Sequence, residues 1–135
     1  MTRIKTMKKE YIFYVYILSN YERTTFYIGF TNDIIRRIIE HKNGCGSVFT
    51  SKYKLSFLVY YEEYKYARDA ISREKELKGW LRKKKIDLIK SVNPEMNDLS
   101  HELLEMYQID EEEVKLYLKS IKDSSPFRAQ NDKGI

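Results

Sequence analysis

With 135 residues, 42% of them hydrophobic and 14% aromatic, the chain has room for one core, and a domain of this size buries enough surface to fold unaided. No apolar run reaches the roughly 20 residues that span a bilayer, and a single cysteine with two distant histidines excludes both an internal disulfide and a Cys/His zinc centre. The net charge of +5 divides into a basic body, with 20 Lys/Arg against 10 Asp/Glu in residues 1–93, and an acidic end, with 5 against 10 in residues 94–135; the basic body favours a polyanionic partner.

Residues 1–10 are polar and basic and read as a flexible start with no small-residue cleavage site after them, so a cytoplasmic protein is expected. Tyr11–Ser19 is rich in aromatic and β-branched residues and predicts a strand buried on both faces. Thr25–Phe30 predicts a second strand, close enough to form a hairpin with the first. Thr31, Asn32 and Asp33 offer cap oxygens to a helix whose apolar positions are Ile34, Ile35, Ile38 and Ile39, with Gly44 as its stop. Residues 45–54 read as a loop, with Cys45 a bystander thiol, and Leu55–Tyr61 as a third strand.

A second helix is expected over Tyr66–Lys78, its buried stripe carrying Ala67, Ala70, Ile71 and Leu77. A third is expected over Leu81–Val92, with Leu81, Leu88, Ile89 and Val92 inward and Arg82, Lys83, Lys84 and Lys85 at its start. Pro94 ends it, because proline disfavours the α conformation in the residue before it. Leu99–Tyr107 and Val114–Ile121 show helical spacing, the second behind a capping pair of Asp110 and Glu113, and together they read as an acidic helical hairpin over 99–122. Residues 99–135 as a whole are expected to be dispensable for the core and to temper nucleic-acid affinity through their carboxylates. Residues 123–135 read as a disordered tail.

Glu74 occupies a position on its helix's apolar stripe where an aliphatic residue is expected. Burying an unpaired carboxylate costs several kcal/mol, so this group needs a cation, a metal or hydrogen-bond donors; an internal ion pair or a partly exposed edge would also satisfy it. Arg37 and His41, four apart, share a helix face and suit a phosphate diester, although Asp33 is within reach of Arg37 as a simple ion-pair partner. Tyr27 and Gly29 share one sheet face, and a strand glycine often marks close approach of a ligand or a second backbone; Tyr14 and Tyr16 share a face of the first strand.

Five segments in order now carry a resemblance. Tyr14-Val15-Tyr16, Tyr27-Ile28-Gly29, Thr31–Arg37 followed by Glu40-His41, Ile71–Trp80, and Ser91–Glu95 together resemble the motifs of the GIY-YIG nuclease superfamily, most closely its short bacterial single-domain branch. The resemblance covers roughly residues 11–98, with Tyr14 in place of a leading glycine and Phe30 where some members place a lysine. It implies an α/β fold, a small three-stranded, mainly antiparallel sheet flanked by helices, here with a C-terminal acidic helical extension.

It also implies a metal-dependent endonuclease acting on DNA, in which Glu74 holds Mg2+ or Mn2+, Tyr16 orients or deprotonates the attacking water, and Tyr27 supports Tyr16. Arg37 would stabilise the phosphate charge, and His41 would relay a proton or hold a phosphate. Gly29, Arg36, Lys83, Lys84 and Asn93 are the expected nucleic-acid contacts, with Asn93 in the place of a late active-site asparagine. The rival reading is a nucleic-acid-binding module of the same fold that no longer cleaves; the retained Tyr16, Tyr27, Arg37 and Glu74 speak against it, since binding alone requires no carboxylate near phosphate.

Overall fold

A computed structural model of the chain describes residues 12–44 and 46–123. The expected flexible start at residues 1–10, Cys45 and the expected tail beyond Asp123 lie outside the described residues. Three strands, β1 (Phe13–Ser19), β2 (Phe26–Thr31) and β3 (Phe57–Tyr64), form one antiparallel sheet in the order β2-β1-β3. As the central strand, β1 is covered on both faces, which is why its apolar run is continuous instead of alternating.

Each face builds its own core. On one face Tyr14, Tyr16, Leu18 and Tyr27 pack with Leu55 and Leu58 against helix α1 (Ile34–Lys42), whose Ile34, Ile35, Ile38 and Ile39 are all buried. On the other, Val15, Ile17, Ile28 and Val59 meet α3 (Ala67–Lys78) and α4 (Arg82–Val92) through Ala70, Leu77 and Ile89. Asp33 caps α1 as expected, its carboxylate accepting from the Arg36 N–H at 3.2 Å. Gly44 follows that helix at φ 72°, a left-handed conformation suited to a residue without Cβ.

The segment expected to be a loop holds a short helix, α2 (Val48–Lys52), nucleated by a reciprocal cap between Ser47 and Thr50. The inward stripe of α3 runs Ala70, Glu74, Leu77, and Ile71, expected to be buried, lies off it at 37% exposure. Leu81 and Val92 are likewise exposed, because Leu81 is the extended cap residue before α4 and Val92 closes the helix where its buried face has run out. No helix among the described residues is long and apolar enough to cross a membrane.

Helices α5 (Ser100–Met106) and α6 (Glu111–Asp123) pack onto the α1 side of the sheet. The capping pair before α6 forms in both directions, Glu113 N–H to Asp110 at 2.9 Å and Asp110 N–H to Glu113 at 3.3 Å. Leu103 is wholly buried in the first core, and Leu99, Leu104, Ile109, Val114, Tyr117 and Leu118 pack against that core. The Tyr14 and Tyr107 hydroxyls share a hydrogen bond. These helices therefore supply apolar surface to the core, and truncation tests whether the core folds without them.

Between β1 and β3 the register slips at Ile17/Leu18, so that β3 carries an extra residue at Val59. A bulge leaves ladder groups without strand partners. Here the Asn93 side chain donates to the Val59 carbonyl at 2.9 Å and to the Asn97 carbonyl at 2.9 Å, while its own oxygen accepts from the Asn97 N–H at 3.1 Å. Next to it, Asp98 accepts from the Leu58 N–H at 3.0 Å and the Leu99 N–H donates to the Leu58 carbonyl at 2.7 Å, which covers the outer edge of β3. Asn93 is 6% exposed with its amide fully engaged, so the expected nucleic-acid contact at this position is corrected to a structural one. Asn93→Ala should lower unfolding stability by about 1–3 kcal/mol, the cost of leaving buried polar groups unpaired. Chemical denaturation checks it; a variant as stable as the parent would mean that water replaces the amide.

Candidate active site

The pairing of β1 with β2 sets Tyr16 directly opposite Gly29. A Cβ on Gly29 would lie 2.5 Å from both the ring carbon Cζ and the hydroxyl of Tyr16, so the phenol reaches its place only because this strand position has no side chain. Tyr16 is 1% exposed and its ring stands 6.3 Å from that of Tyr27, two positions along the same face of β2. The glycine thus positions a tyrosine of the same protein.

Helix α1 delivers two further groups to the Tyr16 hydroxyl. Arg37 donates to it through Nε at 3.4 Å, and His41 places Nε2 3.5 Å from it. The spacing of four residues puts both on the helix face beside the isoleucine stripe. Arg37 is anchored by Glu40, whose two carboxylate oxygens take Arg37 Nη1 at 2.6 Å and Arg36 Nε at 2.9 Å. Glu40 is 2% exposed, and two guanidiniums offset the desolvation of that buried carboxylate. In the sequence it stands in the Glu40-His41 segment with no role assigned, although its i+3 and i+4 spacing from the two arginines carries the signal. Arg36 therefore acts first as a partner of Glu40, with a third of its side chain open to solvent.

His41 is closed in from the other side. Its Nδ1 lies 3.1 Å from the Thr50 hydroxyl of α2, and a Cβ on Gly46 would fall 2.0 Å from that nitrogen. Burial first, and then the charge of Arg37, lower the imidazole to about 3, so it is neutral at physiological pH. Burial pushes the Tyr16 phenol above its ordinary range; Arg37 pulls the other way, while Glu40 and Glu74 add to the rise. Burial likewise raises Tyr27, with the charges of Tyr16 and Glu74 adding and that of Arg37 opposing. Both phenols are protonated at neutral pH. For Arg37, burial works against its charge, but the neighbouring Tyr16 and Glu40 outweigh it and hold the guanidinium above its usual value.

Glu74 comes from α3, which lies against β1 and β2, and its charge acts on both phenols. Its side chain is 19% exposed and pairs with Lys78 at 2.9 Å, so it sits at a partly open edge instead of deep in the core. Among the described residues no cluster of three or more His, Cys, Asp or Glu could hold a metal. Glu74 is a lone hard oxygen donor. That suits Mg2+, which keeps several waters and is commonly held by one or two carboxylates plus substrate phosphate. Lys83 and Lys84 hang from α4 on the opposite side of the sheet, Lys83 paired with Asp87 at 3.0 Å and Lys84 Nζ 4.2 Å from the Trp80 ring centre.

The fold therefore gathers Tyr16, Tyr27, Arg37 and His41 into one buried polar cluster, with the charge of Glu74 on α3 acting on its two phenols. A three-stranded antiparallel sheet presenting two tyrosines, an arginine helix and a separate carboxylate helix places the motif segments noted in the sequence around one site. The profile of the GIY-YIG catalytic domain matches residues 12–87, more than half of the chain, and the protein belongs to that family, whose domain is of nuclease type and acts on nucleic acids. A UPF0213 protein of Clostridium perfringens is 41% identical over 78 residues, covering 58% of this chain and 83% of the relative. One of Staphylococcus saprophyticus is 38% identical over 76 residues, covering 56% and 92%, and one of Staphylococcus aureus 38% identical over 64 residues, covering 47% and 78%. No solved structure matches.

Proposed function

We propose that this chain is a metal-dependent endonuclease that hydrolyses phosphodiester bonds in DNA. The observation that carries the reading is the convergence of Arg37 Nε and His41 Nε2 on the Tyr16 hydroxyl, which links a proton donor-acceptor, a fixed positive charge and a neutral base in one chain of contacts. Glu74 would hold Mg2+ or Mn2+, and the ion when bound would polarise the scissile phosphate and stabilise the leaving 3′ oxygen.

A protonated phenol with a raised pKa is a poor base by itself, and an imidazole lowered to about 3 takes its proton only once the negative charge of the bound phosphate raises it. As the attacking water approaches phosphorus, its proton passes to the Tyr16 oxygen while Tyr16 gives its own proton to His41 Nε2. The water oxygen forms the new P–O bond, the bond to the 3′ oxygen breaks, and the leaving oxygen takes a proton from solvent. Tyr16 never has to become a free phenolate. Arg37 stays charged and stabilises the developing negative charge on phosphorus, and Tyr27 supports Tyr16 from β2. The contacts at 3.4 and 3.5 Å are of the length seen in sites that tighten on substrate.

The test is incubation of the purified protein with labelled duplex, branched and single-stranded DNA and with RNA, with and without Mg2+. Cleavage of a DNA substrate that requires the ion is expected; binding without cleavage across the whole panel would favour a module that has lost its chemistry. The same substrates examine the basic start of α4. If Lys83 and Lys84 meet phosphates, replacing both by alanine should weaken binding to every sequence and reduce the slope of log affinity against log salt by about one unit for each phosphate no longer neutralised. An unchanged slope would leave these lysines as solvated helix surface.

A further inference from the structure

Thr50 lies outside every motif singled out in the sequence, yet it is 3% exposed and reaches the one imidazole in the site. Its hydroxyl has four neighbours: the Ser47 N–H at 3.1 Å, the Ser47 hydroxyl at 2.9 Å, the Ser47 carbonyl at 3.3 Å and His41 Nδ1 at 3.1 Å. A hydroxyl gives one proton and accepts two. The Ser47 N–H can only donate and the Ser47 carbonyl can only accept. With the Thr50 proton on that carbonyl and the Ser47 hydroxyl proton turned away, the two acceptor positions take the Ser47 N–H and His41; with the Thr50 proton on His41 Nδ1, they take the Ser47 N–H and the Ser47 hydroxyl. The Tyr16 side chooses between the two, because the phenol oxygen already accepts from Arg37 Nε and its proton is left for a bare Nε2.

We infer that Thr50 is a positioning residue for cleavage: by accepting the Nδ1 proton of His41, it fixes the tautomer whose bare Nε2 faces the Tyr16 hydroxyl. The inference rests on the relay role proposed for His41 and names what sets it. A neutral imidazole carries one proton, and the hydrogen bond at one nitrogen decides whether the other can accept. In the opposite tautomer Nε2 would itself present a proton to Tyr16, alongside the one from Arg37 Nε, and could not receive the phenol's. The arrangement depends on the short helix α2. The reciprocal Ser47–Thr50 cap sets the Thr50 rotamer, and Gly46 lets the chain pass against the face of the imidazole, where any Cβ would collide. The loop-to-helix segment that closes over His41 thereby also supplies its acceptor.

Nitrogen-detected NMR of the full-length protein labelled in histidine reads the tautomer without any cleavage, so it tests the inference even if the nuclease reading fails. The expected wild-type result is His41 protonated at Nδ1 and bare at Nε2; a proton on Nε2 would overturn the proposal. Thr50→Val keeps the shape and removes the hydroxyl. It should mix the tautomers and lower kcat about 10- to 100-fold with little change in KM, by analogy with the loss of the outer partner of a metal-ligating histidine. Thr50→Ser should restore both. Ser47→Ala removes one half of the cap but keeps the Thr50 hydroxyl, and it should lower the melting temperature while leaving tautomer and kcat close to wild type. If Ser47→Ala lost kcat as Thr50→Val does with the tautomer unchanged, Thr50 would act only by folding α2, and the proposal would fail. Wild-type protein with the expected tautomer but no cleavage would support the tautomer device and count against the nuclease reading alone.

Discussion

Glu74→Gln is expected to abolish Mg2+-supported cleavage while leaving the protein folded. The substitution keeps the shape of the side chain and removes the charge that acts on both phenols and would bind the ion. Loss of a preorganised charge at a phosphoryl centre costs on the order of 100- to 1,000-fold in rate, and the loss of the carboxylate proposed to hold the ion should exceed that. The stability side is small. Glu74 pairs with Lys78, but the two side chains are 19% and 35% exposed, and an ion pair in that setting contributes at most about 1 kcal/mol. Were the glutamate instead one half of a truly buried pair, removing its charge would cost about 3–5 kcal/mol. Thermal melting and cleavage measured on the same preparation separate the two cases. A Glu74→Gln protein that cleaves at the wild-type rate would remove Glu74 from the site and most of the proposed chemistry with it.

Glu74 was visible in the sequence because it interrupts an apolar stripe, a local conflict that periodicity exposes directly. The same logic found β1, whose unbroken apolar run needs cover on both faces, and the cap at Asp33, where three polar residues precede four isoleucines. What escaped depends on contacts between distant segments. The helix α2 is only five residues long and begins in a turn-like stretch; its cap and its contact with His41 hold it, and neither shows as periodicity. Asn93 was assigned to nucleic acid from its place in a motif, whereas its partner is a carbonyl freed by a slip in strand register at Val59, which no sequence pattern announces. Leu81 and Val92 fit the helical spacing but fall at the helix ends, where the period continues and the buried face does not. The role of Glu40 was legible, since a carboxylate three and four residues beyond two arginines is a recognisable local pattern.

The match to the GIY-YIG catalytic domain ends at residue 87, ahead of α5 and α6, which makes the last two helices look like an appendage. The packing predicts otherwise: a chain ending at Leu99 should fail to form a cooperative fold. Leu103 is 0% exposed among Tyr14, Leu55, Leu58 and the isoleucines of α1, and α6 adds Val114, Tyr117 and Leu118 to that face. Leu103 alone, cut to alanine, should cost about 2–5 kcal/mol. A typical domain has about 5–15 kcal/mol in total, so losing Leu103 together with Leu104, Ile109 and the α6 side chains leaves little margin. The loss would fall on the functional site as well, because the exposed face is the one on which α1 holds Arg37 and His41 over Tyr16. Leu103→Ala should therefore give a folded but less stable protein, and the truncated chain a broad, non-cooperative transition by circular dichroism with chemical denaturant. A truncated protein that melts sharply at the wild-type temperature would show that the sheet and the first four helices close a sufficient core by themselves, and that the acidic helices serve only as a charged cover.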